Sequence, residues 1–252
     1  MTAVKDTVRL AAMADIHCGT TAPEALRRLF VEASEKADVL VVCGDLTNHG
    51  LPEEARTLAK ELSASLRIPI VAVLGNHEYE SGREGEIRQI LVDIGANVLD
   101  GDACEIAGIG FAGIKGFGGG FGERALQPWG EEIIKRFVHE AVDEALKLES
   151  ALARLRTPHR VALLHYAPIQ QTVEGEPPEI RPFLGSSRLE EPLTNYPVAV
   201  VFHGHAHHGR LEGRTRADVP VYNVAIPLLL DTFPDRSPFY LLELPAPPRP
   251  AA

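Results

Sequence analysis

A layered α/β fold is what the sequence predicts, on three observations. Short apolar runs lack polar alternation, helix-like segments lie between the first of them, and polar or turn-forming residues close every run. A sheet with one wet face alternates polar and apolar side chains, whereas strands that stay apolar throughout are covered on both faces by other layers.

Five runs have strand length: Val8–Ala14, Val39–Cys43, Ile70–Leu74, Val161–Leu164 and Val198–Phe202. Helices are predicted over Pro23–Ala37, with Pro near its start, and over Pro52–Leu66, which opens with Glu53 and Glu54 at the positive end of the helix dipole. A third is predicted over Glu84–Ile94, ended by Gly95. The resulting β-α-β-α-β-α order is that of helices layered on a sheet. Residues Asn97 to Gly113 break this rhythm and read as two or three short strands with Gly turns, and Gly116–Gly122 (GFGGGFG) reads as a flexible loop. From Gly130 to Leu155, apolar residues including Ile134, Phe137, Val138, Ala141, Ala145 and Leu148 recur at helical spacing, so a long amphipathic helix is expected. Pro168–Ser187, rich in Pro, Glu and Gly, reads as an exposed loop, and Pro245–Ala252 as a Pro-rich disordered tail. One domain over residues 1–245, followed by the tail 246–252, is the expected organisation.

Bulk composition narrows the partners. The 252 residues are 45% hydrophobic and 24% charged, enough for one sizeable core. A formal charge of −10 works against holding nucleic acid or an anionic membrane by general electrostatic attraction, so only a local basic groove would serve either. Cys18, Cys43 and Cys104 are widely spaced with no CxxC pair, which indicates neither a disulfide framework nor a zinc knuckle. No run reaches the roughly 18 apolar residues of a membrane span, and the N-terminal residues lack a signal-peptide stretch. A cytoplasmic protein with no membrane partner is expected, and no sequence feature specifies an oligomer.

The chemistry collects where the apolar runs end. They are followed by Asp15-Ile16-His17, by Gly44-Asp45, by Gly75-Asn76-His77-Glu78, by His165, and by His203-Gly204-His205-Ala206-His207. Loops beyond the carboxyl ends of strands form the ligand crevice of open α/β sheets, so five separate pieces of chain would deliver polar groups to one edge. A strand-end Asp or His taken singly is ordinarily a cap or a turn residue. The joint set is what carries the inference. Its carboxylate, imidazole and amide groups suit divalent Mn, Fe, Zn, Co or Ni better than a thiolate-loving ion. Seven side chains, Asp15, His17, Asp45, Asn76, His165, His205 and His207, are too many for one octahedral ion that also holds water, and two ions sharing a carboxylate account for them.

The ordered series DIH (Asp15–His17), GD (Gly44-Asp45), GNHE (Gly75–Glu78), His165 and GHAH (Gly204–His207) resembles the calcineurin-like metallophosphoesterase signature, from Asp15 to His207. That resemblance implies a four-layer α/β/β/α sandwich of two mixed sheets flanked by helices, with the strands around Ala103–Gly113 and Val219–Leu244 largely in a second sheet. It implies that Asp15, His17, Asp45 and His207 surround one metal, and that Asp45 bridges to a second held by Asn76, His165 and His205. Two divalent ions about 3.5–4 Å apart can hold a bridging hydroxide and clamp phosphate oxygens for in-line attack. Hydrolysis of a small-molecule phosphomonoester or phosphodiester, with no protein nucleophile, is then the expected activity. His77 is the candidate to protonate the leaving oxygen, and Asn76 could also donate to a phosphoryl oxygen.

One departure stands out: many relatives read GDxxD where this chain reads Gly44-Asp45-Leu46-Thr47-Asn48. An amide in place of that carboxylate is expected to orient His77 while raising its pKa less. His49, His203 and His208 flank motifs and read as structural, His139 and His159 as solvated, and Cys18 and Cys43 as inert buried thiols. Arg181, Arg188 and Arg210 are candidate contacts for an anion. Gly116–Gly122 lacks the Lys-Ser or Lys-Thr of a P-loop and reads as a lid, with Phe117 and Phe121 shielding substrate. The alternative function is a non-catalytic scaffold that keeps the fold for protein interaction, which retention of every ligand type disfavours. A nuclease is disfavoured by the acidic balance.

Overall fold

Two β-sheets packed face to face explain why the apolar runs show no alternation. The computed structural model describes residues 6–246. Strand β1 (Thr7–Met13) is followed by helix α1 (Glu24–Lys36), β2 (Val39–Cys43), α2 (Pro52–Ser65), β3 (Ile70–Val73), α3 (Glu84–Asp93) and β4 (Asn97–Leu99). Then come β5 (Asp102–Ile106), β6 (Ile109–Gly113), α4 (Glu132–Arg154), β7 (His159–Leu163), α5 (Arg181–Leu184) and α6 (Glu190–Asn195). The chain closes with β8 (Val200–His203), β9 (Glu212–Arg214), β10 (Pro220–Asn223), α7 (Ile226–Thr232) and β11 (Tyr240–Pro245). The first sheet has the order β11-β1-β2-β3-β4 and the second β5-β6-β7-β8-β10-β9. In each, a parallel centre is edged by antiparallel strands, β11 in the first and β5 and β9 in the second.

Successive residues of a strand point to opposite faces, and here both faces are dry. In β2, Val39, Val41 and Cys43 pack inward against Phe111, Val161, Leu163 and Phe202 of the second sheet. Leu40 and Val42 pack outward among Phe30, Leu58, Leu62, Ile87 and Leu91 of α1, α2 and α3. The second sheet repeats the scheme, with Ala112, Ala162 and Val201 packed against Leu148, Ala151 and Leu152 of α4 and Leu193 of α6. The architecture is therefore a four-layer α/β/β/α sandwich with two mixed sheets. Phe111 and Phe202 are wholly buried between the sheets, and each contributes roughly 1.5–3 kcal/mol by leaving water.

The structure corrects four expectations. The apolar runs divide between the sheets, since β1, β2 and β3 lie in the first while β7 and β8 lie in the second. The region Val219–Leu244 is divided as well: β10 joins the second sheet, and β11 returns to pair antiparallel with β1, which lets Leu244 join the core between the sheets. Gly116–Gly122 is not a free loop. Gly119 and Gly120 donate main-chain hydrogen bonds to Pro182 and Gly185, and Ser187 N–H donates to the Gly120 carbonyl. Pro168–Ser187 is not simply exposed, because Thr172, Val173, Glu176 and Leu184 are buried in it. Its polar composition is consumed internally: Glu176 accepts from the His208 N–H, and Asn223 donates to the Thr172 and Ala206 carbonyls. Of the expected tail, Pro245 closes β11, Ala246 donates to the Asp6 carbonyl, and residues 247–252 lie outside the described residues.

Candidate metal centre

Register brings the motifs together. Because β1, β2 and β3 run parallel and adjacent, their carboxyl ends deliver Asp15, His17, Asp45 and Asn76 to one edge of the first sheet. The ends of β7 and β8 bring His165, His205 and His207 to the matching edge of the second. The turns that leave these strands are tight. Asp15, His17, Asp45 and His205 all have positive φ, at 59°, 46°, 49° and 70°. Non-glycine residues there carry strain of order 1–3 kcal/mol each and persist only where neighbours hold them. They are held laterally, by Asp15 N–H to the Gly44 carbonyl (3.0 Å), His17 N–H to the Asp45 carbonyl (3.0 Å), and His205 N–H to Asp15 Oδ2 (3.0 Å). The motif glycines are required by contact. A Cβ at Gly44 (φ +87°) would sit 2.4 Å from His165 Nδ1, and one at Gly75 would sit 2.1 Å from Asp45 Oδ1.

Two groups of donors result. Potential ligand atoms of Asp15, His17 and His207 lie within 4.8 Å of one another, as do those of Asp45, His165 and His205. Asp45 also falls in a third such group with His17 and His77, so its carboxylate stands between the first two. Asn76 joins the second group, its Oδ1 2.9 Å from His165 Nε2. All seven predicted ligands thus converge on one edge, and His77 borders them with Nε2 3.8 Å from Asp45 Oδ2.

The donor set fits cations on two counts. Both ring nitrogens of His17 are buried with no hydrogen-bond partner, a state that costs about 1–3 kcal/mol per atom unless something fills it. His165 Nδ1 is 2.9 Å from the Cys43 carbonyl and donates to it. Its Nε2 then faces the Asn76 oxygen at 2.9 Å and Asp45 Oδ1 at 3.4 Å. Electron pairs on both sides of that gap call for a proton or a metal ion between them.

The family model described as calcineurin-like phosphoesterase matches residues 8–209. The chain belongs to the calcineurin-like phosphoesterase family. As such it is a metal-dependent hydrolase of the phosphoesterase class, and its Asp and His cluster is one that could bind metals. The fold is similar to that of phosphopantetheinyl hydrolase (PptH) from Mycobacterium tuberculosis, with a TM-score of 0.69 and 17% identity over 95% of this chain and 97% of that one. It is also similar to TT1561 of Thermus thermophilus, with a TM-score of 0.56 and 14% identity over 88% and 91% of the two chains. Purple acid phosphatase PPD1 from yellow lupin shares the fold with a TM-score of 0.52 and 15% identity over 80% of this chain and 38% of that one. Comparison with curated proteins by sequence finds no match.

Charge is finely balanced in this phosphoesterase. Burial would lower the pKa of His165, yet the Asp45 carboxylate outweighs it and the imidazole is pushed up to about 9. Asp45 answers in kind: burial favours its neutral form, but His165 holds the carboxyl well below the usual carboxylate range. Desolvation, assisted by His165, pushes His205 down to about 3, and burial lowers His17. His207 is raised, first by its 3.1 Å hydrogen bond to Asp15. Opposed charge at the centre therefore favours a proton between His165 and Asp45.

The GNHE motif contains a brace whose role is absent from the sequence reading. Glu78 is fully buried, and its Oε1 accepts from the Thr47 N–H (2.8 Å) and hydroxyl (2.7 Å) while Oε2 accepts from the Gly75 N–H (2.7 Å). It ties the loop that carries Asp45 to the loop that carries Asn76. Burial and the neighbouring Asp45 push its pKa up to about 7, against the pull of those three donors. An acidic residue inside the motif, directly after His77 and before Tyr79, was the available signal.

His77 is oriented differently from expectation. Its Nδ1 donates to the main-chain carbonyl of Asn48 at 2.6 Å, while the Asn48 side-chain nitrogen lies 2.8 Å from His49 Nε2. A backbone oxygen therefore sets the His77 ring, with Glu80 Oε1 3.5 Å from the same nitrogen, and the Asn48 side chain takes no part. His203 is structural, bonded to Thr172 Oγ1 and the Gly204 carbonyl, and burial pushes it down to about 4. Burial raises Cys18 to about 11 and Cys43 further, which makes both poor nucleophiles. Arg188 and Arg210 are engaged elsewhere, with the Leu126 carbonyl and with Glu174.

Proposed function

We propose that the chain hydrolyses a small-molecule phosphate ester, monoester or diester, at a binuclear centre. Asp15, His17, Asp45 and His207 hold one divalent cation, and Asp45, Asn76, His165 and His205 hold the other. The observation that carries this reading is the position of Asp45 between two donor groups, beside a His17 ring whose two nitrogens have no hydrogen-bond partner. The mixed nitrogen and oxygen donors favour Mn, Fe or Zn. When bound, such a cation pair acidifies water and neutralises phosphoryl oxygens.

The chain's own residues supply the rest. His77, tethered through Nδ1 to the Asn48 carbonyl, turns Nε2 toward Asp45, where as imidazolium it can give its proton to the departing alkoxide. The Asn76 oxygen faces His165, which leaves its amide nitrogen to donate to a phosphoryl oxygen. The main-chain ties at Asp15, His17 and His205 hold the groups in place before substrate arrives, so little reorganisation is needed. A net charge of −10 favours a small substrate over a nucleic-acid polymer.

The test is turnover of 4-nitrophenyl phosphate and of bis(4-nitrophenyl) phosphate by metal-stripped protein resupplied with Mn²⁺, Fe²⁺ or Zn²⁺. Metal-dependent release of nitrophenol is expected, and the ratio of the two rates assigns monoester or diester preference. Protein that binds none of these metals and turns over neither ester would be a scaffold.

A further inference from the structure

Beside the metal edge lies a groove of about 690 Å³ between the start of α4 and the segment that carries α5. Its walls include Phe121, Ile134, Phe137 and Phe183, with Arg124 and Arg181 among its lining residues and no carboxylate. The groove is joined to the centre. The Phe183 carbonyl lies 3.4 Å from His205 Nε2. The Tyr166 ring lies 4.5 Å from the His205 ring and 5.9 Å from that of Phe117, which in turn lies 4.8 Å from Phe137. Phe137 completes the path to Phe183 at 6.4 Å. A chain of ring contacts, in part buried, thus links a proposed ligand to the groove wall.

Hydrolysis of the phosphoryl group alone needs none of this. Phe183 keeps 60% of its surface in water, and contiguous apolar surface left exposed marks a place where something binds. The charge narrows what kind of thing. In a chain of net charge −10, a groove with two arginines and no acid in its lining suits the apolar part of a molecule that carries negative charge, and an isologous second copy would set arginine against arginine.

Resting on the function proposed above, we propose that the groove holds the apolar part of the substrate, which is then a phosphate ester of a long alkyl or aromatic alcohol. Its phosphate lies at the centre of Asp15 and Asp45, while Arg124 and Arg181, the latter donating through Nε to the Glu176 carbonyl, line the groove that takes the rest of the molecule. In the reaction water adds to phosphorus, the bond from phosphorus to the ester oxygen breaks, and the apolar alcohol leaves with a proton.

Isothermal titration of Mn²⁺-loaded protein with ethylphosphonate and octylphosphonate, neither of which can be hydrolysed, tests this. A buried CH₂ gives roughly fourfold in affinity, so even partial cover of the longer chain predicts at least about a 30-fold preference for octyl. That ratio is expected to fall at least about fivefold in Phe183→Ser and again in Ile134→Asn, the second variant guarding against a local effect of the first. Equal affinities for the two phosphonates, or a preference that survives both substitutions, overturns the groove assignment. So does a wild-type dimer in sedimentation that Phe183→Ser splits, because the groove would then be an interface between copies. Ethylphosphonate reads the metal centre by itself: if it fails to bind, the function proposed above falls and the groove assignment with it, whereas its binding with no gain for octyl overturns the groove alone.

Discussion

The strand-end loops and the region formed by segments 116–137 and 168–187 border the same centre, and they are built on opposite principles. The strand-end loops use residues that nothing else can replace: carboxylates and imidazoles as donors, glycines where a Cβ would strike His165 or Asp45, and four non-glycine residues at positive φ. The second region uses ordinary Phe, Ile, Pro and Gly, held by main-chain bonds such as Gly119 to Pro182 and Ser187 to Gly120. Chemistry constrains the first to particular atoms at particular distances. Shape alone constrains the second, so on the proposed function one region would fix the reaction and the other would be free to set the substrate.

Substitutions should break the two regions differently. In the first, Asp45→Asn removes the charge common to both donor groups. The turnover number is expected to fall by more than the ~10²–10³ that follows loss of a single electrostatic stabiliser, while far-ultraviolet circular dichroism stays native. A comparable rate in the variant would show that Asp45 is not shared.

Glu78→Ala comes next, and its effect is on stability. Three buried donors, two on Thr47 and one on Gly75, lose their acceptor, so a loss of about 3–5 kcal/mol is expected in denaturant unfolding. A change within about 0.5 kcal/mol, the usual range for a surface substitution, would mean the brace does not exist.

The proton at the centre gives a third and smaller effect. His165 is pushed up to about 9, so at neutral pH the metal-free site holds a proton that a cation must expel. Apparent metal affinity should therefore rise about tenfold per pH unit up to about 9 and then flatten. Calorimetry in buffers of different ionisation enthalpy should detect net proton release, at least about one per chain, at pH 7. The sign for metal-free stability is the reverse. A group whose pKa is higher folded than unfolded stabilises fully below the unfolded value near 6.5, and that contribution is lost as pH climbs through about 9.

Asn48→Asp should have the smallest effect. The His77 ring is held by the main-chain carbonyl at position 48, and the Asn48 side chain turns to His49. The pH–rate profile is expected to keep its shape, with rates within about twofold, the scale of an exposed charge change. A shift of the profile would mean that the new carboxylate reaches His77 after all.

The same contrast explains what the sequence made legible. The helices and the strands β1 to β3 were readable because period and apolar continuity encode burial directly. The convergence of these side chains on one edge was readable because Asp, Asn and His at strand ends form a code of residue types. The division of five apolar runs between two sheets was not, since Val161–Leu164 reads the same whichever sheet it enters. Nor was the return of β11 to β1, which depends on tertiary pairing. The segments 116–122 and 168–187 misled for a physical reason. Glycine and proline signal loops, but these loops satisfy their backbone groups within the fold and so pack instead of waving in solvent.

Anomalous diffraction from crystals of the Mn²⁺-loaded protein would show directly whether Asp45 is shared by two cations. Two peaks per chain are expected, about 3.5–4 Å apart, with the Asp45 carboxylate between them, Asp15, His17 and His207 on one side and Asn76, His165 and His205 on the other. A single peak, or two that do not share Asp45, would contradict that arrangement.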